Sequence, residues 1–175
     1  PYKSRLAPRT TPLSIAPNER AESFDLVRER DVIGLNLTVP NKIAAVPLVD
    51  VVEERTKKIG AINTIAIGNG KLVGHNTYGP GFVRAIREEF SVDLRDLRVL
   101  LLGAGGGAGR ALAYQCALEN CERLVLVSRT FEKVQTLTRE LAGYFSGPRV
   151  LGPEARLEAV RWETAALRRQ IARRD

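Results

Sequence analysis

Five glycines, Gly103, Gly105, Gly106, Gly107 and Gly109, punctuate the stretch from Arg98 to Ala111, RVLLLGAGGGAGRA. An apolar run there meets a glycine-rich turn and then a helix-prone segment, and parts in that order make a phosphate cradle. Val99 to Leu102 suits a buried strand. Gly103 can take the tight turn, Gly105 lets backbone approach a pyrophosphate, and Ala108 permits close helix-to-strand packing. With a helix starting at Gly106 or Gly107, its first amides would face an anion and its dipole would favour the charge. The candidate cofactor-binding residues are therefore Gly103, Ala104, Gly105, Gly106, Gly107 and Ala108. A G-x-G-x-x-A pattern alone is a weak signal, because glycine clusters also mark flexible loops. The strand before it and the helix after it favour a dinucleotide.

The next apolar, β-branched run, Leu124 to Val127, follows about 20 residues on, where an NAD-selecting site would end in Asp or Glu to bind the ribose 2′-hydroxyl. Here it ends Ser128-Arg129-Thr130. An acid would repel a 2′-phosphate, whereas a guanidinium pairs with it through parallel charge-assisted hydrogen bonds, so NADP is expected over NAD. Lys133, one turn further, either adds a second positive charge or is a solvated lysine on a surface helix.

The elements that must position these residues divide near Asn76 to Phe90. Before that, Val32 to Val39 reads as a strand ending at Pro40, and Lys42 to Lys57 carries helix-spaced apolar residues despite Pro47. Ile62 to Ile67 and Lys71 to Val73 flank Gly68-Asn69-Gly70 as a hairpin. Phe82, Ile86 and Phe90 share a helix face, Asp93 to Asp96 is a short link, and Val134, Leu137 and Leu141 stripe another helix. Gly147-Pro148 breaks the chain. From Glu154 to Arg173 two readings stand: one basic amphipathic helix, or a short strand around Leu157 to Val160 and then a helix from Thr164.

At 175 residues and 44% hydrophobic content the chain can bury a real core, in one domain or two small ones. The net charge of +7 is spread among 20 acidic residues, with no RNP-like run, helix-turn-helix or zinc-ligand spacing, so nucleic acid is not the expected partner. Cys116 and Cys121 match neither a redox C-x-x-C nor a zinc ribbon and read as packing thiols. The single histidine, His75, rules out a multi-histidine metal site and reads as a turn residue; no metal is expected. No apolar stretch approaches ~20 residues and no signal-peptide pattern opens the chain, so neither a membrane partner nor export is expected, and the setting is cytoplasmic. Starting at Pro1 and holding no methionine, the chain reads as a fragment, a processed chain or an excised region.

With both halves in view, the chain resembles the shikimate dehydrogenase family. The resemblance rests on GLNLTVPNK (Gly34 to Lys42), GAINT (Gly60 to Thr64), HNTYGPGF (His75 to Phe82), GAGGGAGRA (Gly103 to Ala111) and SRT (Ser128 to Thr130), and it extends to about Trp162. It implies an α/β fold: an N-terminal α/β substrate domain over residues 1–79, lacking its first strand and helix, then a truncated Rossmann-type NADP-binding domain over residues 80–175. It also implies NADP-dependent, reversible reduction of 3-dehydroshikimate to shikimate in aromatic amino-acid biosynthesis, with quinate as the alternative substrate. Lys42 would be the catalytic lysine, and Thr38 and Asn63 would hydrogen-bond the substrate. Hydride arriving at a ketone carbon leaves an alkoxide that needs a proton or a positive charge, and a lysine supplies either. The implied partner is a small molecule, with a homodimer admitted.

Three departures from the family pattern matter. Where the family has N-T-D-G, this chain has Asn76-Thr77-Tyr78-Gly79, so the carboxylate partner of Lys42 is replaced by a phenol that stays protonated at neutral pH. Tyr78 thus occupies a catalytic position, either facing Lys42 or rotated out against Phe82. The serine-rich substrate-binding segment and the late Rossmann elements of the family have no counterpart here. Asparagine is also usual where Ser128 stands. A catalytically impaired or reassigned NADP-binding relative is therefore the alternative function.

Overall fold

The computed structural model describes residues 9–30, 32–145, 150–151 and 155–172. Two sheets follow one another along the chain. The first holds β1 (Gly34–Asn36), β2 (Val51–Val52), β3 (Thr64–Gly68) and β4 (Lys71–His75) in the order β1-β3-β4-β2. The β1–β3 and β3–β4 pairs are antiparallel, and β2 joins β4 in parallel. The β3–β4 hairpin forms where expected: Asn69 (φ 52°) and Gly70 (φ 71°) both take the positive φ of a type I′ turn. Helix α1 (Arg20–Arg28) lays Phe24 into a small core with Ala45, Ile62, Ile65 and Leu72.

Lys42 to Lys57 does not form the expected single helix. Pro47 cannot donate within a helix, and the segment breaks into α2 (Asn41–Ala44), a 3-10 turn at Val46–Leu48, strand β2 and α3 (Glu54–Ile59). The apolar residues that looked helix-spaced, Ala45, Val46, Leu48, Val49 and Val52 among them, instead serve the end of α2, the 3-10 turn and β2 on one core. The strand expected over Val32 to Val39 shortens to β1, and His75 is the last residue of β4 rather than a turn residue, its Nδ1 3.2 Å from Glu53 Oε2.

The second sheet is wholly parallel, in the order β5 (Arg98–Leu102), β6 (Arg123–Ser128), β7 (Leu157–Arg161). Helix α4 (Tyr78–Phe90) and a 3-10 turn at Leu94–Asp96 lead into it. Helices α5 (Gly107–Leu118) and α6 (Phe131–Leu141) make its crossovers, with α7 (Thr164–Ala172) after β7. Central strand β6 is buried from Leu124 to Ser128. Val134, Leu137 and Leu141 form the buried stripe of α6 and pack with Leu124, Leu126 and Leu157, each such side chain contributing about 1.5–3 kcal/mol on burial. Cys116 and Cys121 are buried free thiols; their mutual hydrogen bond, then burial, pushes the Cys116 thiol up. Of the two readings of the C-terminal stretch, the strand-then-helix one is correct. The Gly147-Pro148 break lies outside the described residues.

Strand β5 departs from the buried strand expected. Its three central residues are only half-buried and Leu102 is 52% exposed, because β6 covers one edge and no strand covers the other among the described residues. An open edge of this kind accepts a further strand. No helix among the described residues is long and apolar enough to cross a membrane.

Candidate active site

The glycine-rich loop is tied to the end of the neighbouring strand. Gly103 and Ala104 both donate their amides to Val127 O, at 2.8 and 3.0 Å, and Gly103 turns the chain with φ 85°. Gly106, in extended backbone, is the N-cap of α5, and the first intrahelical bond runs from Arg110 N to Gly106 O at 2.8 Å. The amides of Gly107, Ala108 and Gly109 therefore precede the helical ladder and remain available to an anion.

A close approach of the helix to the loop stands at Gly109, next to the expected Ala108. A Cβ on Gly109 would strike the carbonyl oxygen of Gly103 and lie 2.8 Å from Ala104 Cα, both backbone atoms that cannot swing aside. Gly109→Ala is accordingly expected to cost about 1–3 kcal/mol as overpacking, read as a lowered midpoint in denaturant unfolding. An unchanged midpoint would show that the loop and α5 separate freely.

Gly105 brings the cofactor-side residues together. A Cβ there would lie 2.6 Å from Ser128 Oγ and 3.2 Å from Lys133 Cβ, so the loop, the end of β6 and the first turn of α6 meet at this glycine. Ser128 is buried and its Oγ accepts the amide of Thr130 at 3.3 Å, which shapes the turn carrying Arg129. Arg129, Thr130 and Lys133 are exposed at the carboxyl end of the sheet, the edge where open parallel sheets bind ligands.

Across the loop stands the lysine. Lys42, in the short helix α2, donates from Nζ to Tyr78 Oη at 2.6 Å and lies 4.6 Å from the ring centroid. Of the two orientations considered for Tyr78, the one facing Lys42 is present. The aliphatic stem of Lys42 runs beside the start of α5, since a Cβ on Gly107 would lie 3.5 Å from Lys42 Cβ and 3.6 Å from Cδ. The backbone of α2 is held in turn by Ile62 N donating to Lys42 O at 2.8 Å.

Asn63 is buried, and its amide forms a reciprocal pair with Thr77: Nδ2 donates to Thr77 Oγ1 and Oδ1 accepts the Thr77 amide, both at 2.9 Å. Thr38 is exposed on the turn entering α2, its carbonyl accepting Asn41 N at 2.9 Å. Sequence reasoning passed over Asn76. This buried residue donates from Nδ2 to Ala61 O at 2.8 Å and accepts the amide of Tyr78 at 3.2 Å, fixing where α4 starts and hence where the phenol points. An asparagine two residues before a helix start is the signal that an Asx turn leaves.

The two sheets are clasped behind this site. Arg110 Nε donates to Ile59 O at 2.6 Å, capping α3 from α5, and its other arm meets Glu140. Tyr114 Oη donates to the same Glu140 at 3.2 Å; burial first, then the Glu140 charge, pushes that phenol up to about 12. Gly79 lets α4 approach α5, because a Cβ there would lie 2.5 Å from Gln115 Oε1.

The family model for the shikimate dehydrogenase substrate binding domain matches residues 3–65. Shikimate dehydrogenase (NADP(+)) of Geobacillus kaustophilus is 39% identical over 137 residues, covering 76% of this chain and 49% of the relative. The chain belongs to the shikimate dehydrogenase family. Its fold matches the Thermus thermophilus shikimate 5-dehydrogenase solved with NADP(H) and shikimate, at a TM-score of 0.66 and 34% identity over 85% of this chain and 54% of that one. It also matches a family relative, quinate dehydrogenase of Corynebacterium glutamicum solved with NAD, at 0.70 and 28% over 87% and 51%. The chain spans about half the length of the curated shikimate dehydrogenases it matches.

Proposed function

We propose that the protein carrying this chain is an NADP-dependent oxidoreductase that interconverts 3-dehydroshikimate and shikimate, slowed by Tyr78. The observation that carries this reading is the reach of Lys42. Its stem lies beside Gly107 at the start of the cradle helix while its Nζ holds Tyr78 Oη at 2.6 Å, so a proton-handling pair stands next to the nucleotide loop. The residues fit the cofactor. Gly105 lets the loop close against Ser128 and Lys133, the first amides of α5 are unspent, and Ser128, Arg129, Thr130 and Lys133 gather at the end of β6. Bound there, NADP supplies or accepts the hydride.

The chain's own residues do the rest. Residues 1–79 hold the substrate and residues 80–175 the nucleotide. The Lys42 ammonium stabilises charge developing on the substrate oxygen, and it can give that oxygen a proton. Asn63 and Thr38 orient the substrate hydroxyls or carboxylate. Tyr78 retains a hydroxyl beside the lysine but offers no anionic acceptor for a substrate hydroxyl. Absorbance at 340 nm during shikimate oxidation by NADP tests the reading: slow but measurable formation of NADPH, falling by a further ~100-fold in Lys42→Ala. Turnover unaffected by Lys42→Ala would remove the lysine from the chemistry.

Tyr78 itself favours a second reading, a relative reassigned to another hydroxylated cyclic ketone such as the quinate-derived one. A rate with quinate at least tenfold above that with shikimate would select it.

A further inference from the structure

The carboxyl edge of the second sheet holds one more cation than the glycine loop and the end of β6 account for. Arg161 is the last residue of β7 and pairs in register with Ser128 of β6. It therefore stands one strand spacing, about 4.8 Å, from the turn that carries Arg129. It is exposed, and no carboxylate lies within ion-pair distance of it among the described residues. Its guanidinium sits 4.4 Å over the ring of Phe131, the first residue of α6 and the neighbour of Thr130.

An exposed arginine usually keeps its rotamer freedom, and losing that freedom weakens any contact it makes. Here the ring holds one face of the guanidinium in advance. The other face is left as a preset cationic plane beside the turn that would receive the adenosine end of the dinucleotide. Ligands of open parallel sheets bind outside the carboxyl ends of the strands, the end at which Ser128 of β6 and Arg161 of β7 both stand. Planar bases stack on arginine guanidinium groups.

We propose that Arg161, held by Phe131, is the adenine platform of this site, while Arg129 serves the 2′-phosphate. The proposal rests on the NADP reading and divides the labour within it. A platform acts on every adenine nucleotide alike, and its action depends on a plane rather than on a charge alone.

The test uses 2′,5′-ADP and 5′-AMP as probes, followed by calorimetry and by the fluorescence of Trp162, the single tryptophan and the residue next to Arg161. Arg161→Ala should weaken both probes by a similar factor of about tenfold, within the range for loss of one base-stacking contact. Arg161→Lys, which keeps the charge and loses the plane, should not restore them. Because the side chain is exposed, thermal midpoints of both variants should match the wild type. Full rescue by lysine, or loss confined to 2′,5′-ADP, would overturn the platform and make Arg161 a phosphate contact. Undiminished binding of both probes to Arg161→Ala would remove Arg161 from the site while leaving the cofactor reading intact. Failure of the wild type to bind 2′,5′-ADP would remove both.

Discussion

Tyr78→Asp should raise the rate constant for shikimate oxidation by at least ~100-fold, an amount typical of a positioned general acid–base group. The phenol reaches Lys42 at 2.6 Å, so the position already faces the chemistry and is not rotated away. What is missing is chemical: a carboxylate accepts hydrogen bonds through two oxygens and carries a charge opposite to the ammonium, whereas a phenol has one oxygen. What is added is bulk, since the ring occupies space beside the lysine that a carboxyl group would leave to substrate. A misplacement of ~1 Å can cost ~100-fold in rate, so both effects act in one direction. Asn76 fixes the start of α4 through the Tyr78 amide, and the substitution leaves that backbone anchor in place. Single-turnover measurement of NADPH formation reads the result. Comparable rates in the two versions would show that the lysine works without a carboxylate partner.

Arg129→Ala should weaken NADP binding tenfold to a hundredfold and leave NAD nearly unchanged. Loss of one charge-assisted hydrogen bond costs on the order of 1.5–3 kcal/mol, and each ~1.4 kcal/mol is a factor of ten in affinity. The loss is selective because only NADP carries the 2′-phosphate. Ser128 Oγ holds the Thr130 amide, so the turn keeps its shape without the arginine side chain. Calorimetric titration with each nucleotide decides the matter. Equal loss for both would move Arg129 away from the 2′-phosphate.

Elements that depend on local chemistry were legible in the chain itself. The α6 stripe, the Asn69-Gly70 hairpin and the apolar strand β6 each declare their type within a dozen residues, through a 3.6-residue period, a pair of positive-φ residues and a β-branched run. Lys42 to Lys57 misled because three short elements that share a core produce nearly the same apolar spacing as one helix. Strand β5 reads as buried by composition alone, but burial depends on what covers both edges. Gly109 escaped because the motif places close packing at Ala108, and only backbone geometry shows that the next residue lies against Gly103. The family resemblance placed Lys42 and Tyr78 together. The contact of the Lys42 stem with Gly107, between residues far apart in sequence, has no local signature and emerges only when the sheets meet. Arg161 was equally silent, since nothing in its own segment reports that β7 lies beside β6.

We propose that Lys42 and the glycine-rich cradle form one site in which hydride passes between NADP and a ketone. Deuterium transfer tests it most directly: the protein is incubated with 3-dehydroshikimate and NADPH labelled with deuterium at the transferring position of C4, and the product is weighed by mass spectrometry. The predicted result is shikimate carrying one deuterium at the reduced carbon, formed more slowly in Lys42→Ala and faster in Tyr78→Asp. Unlabelled shikimate, or no reduction of the ketone by any of the three versions, would contradict the account.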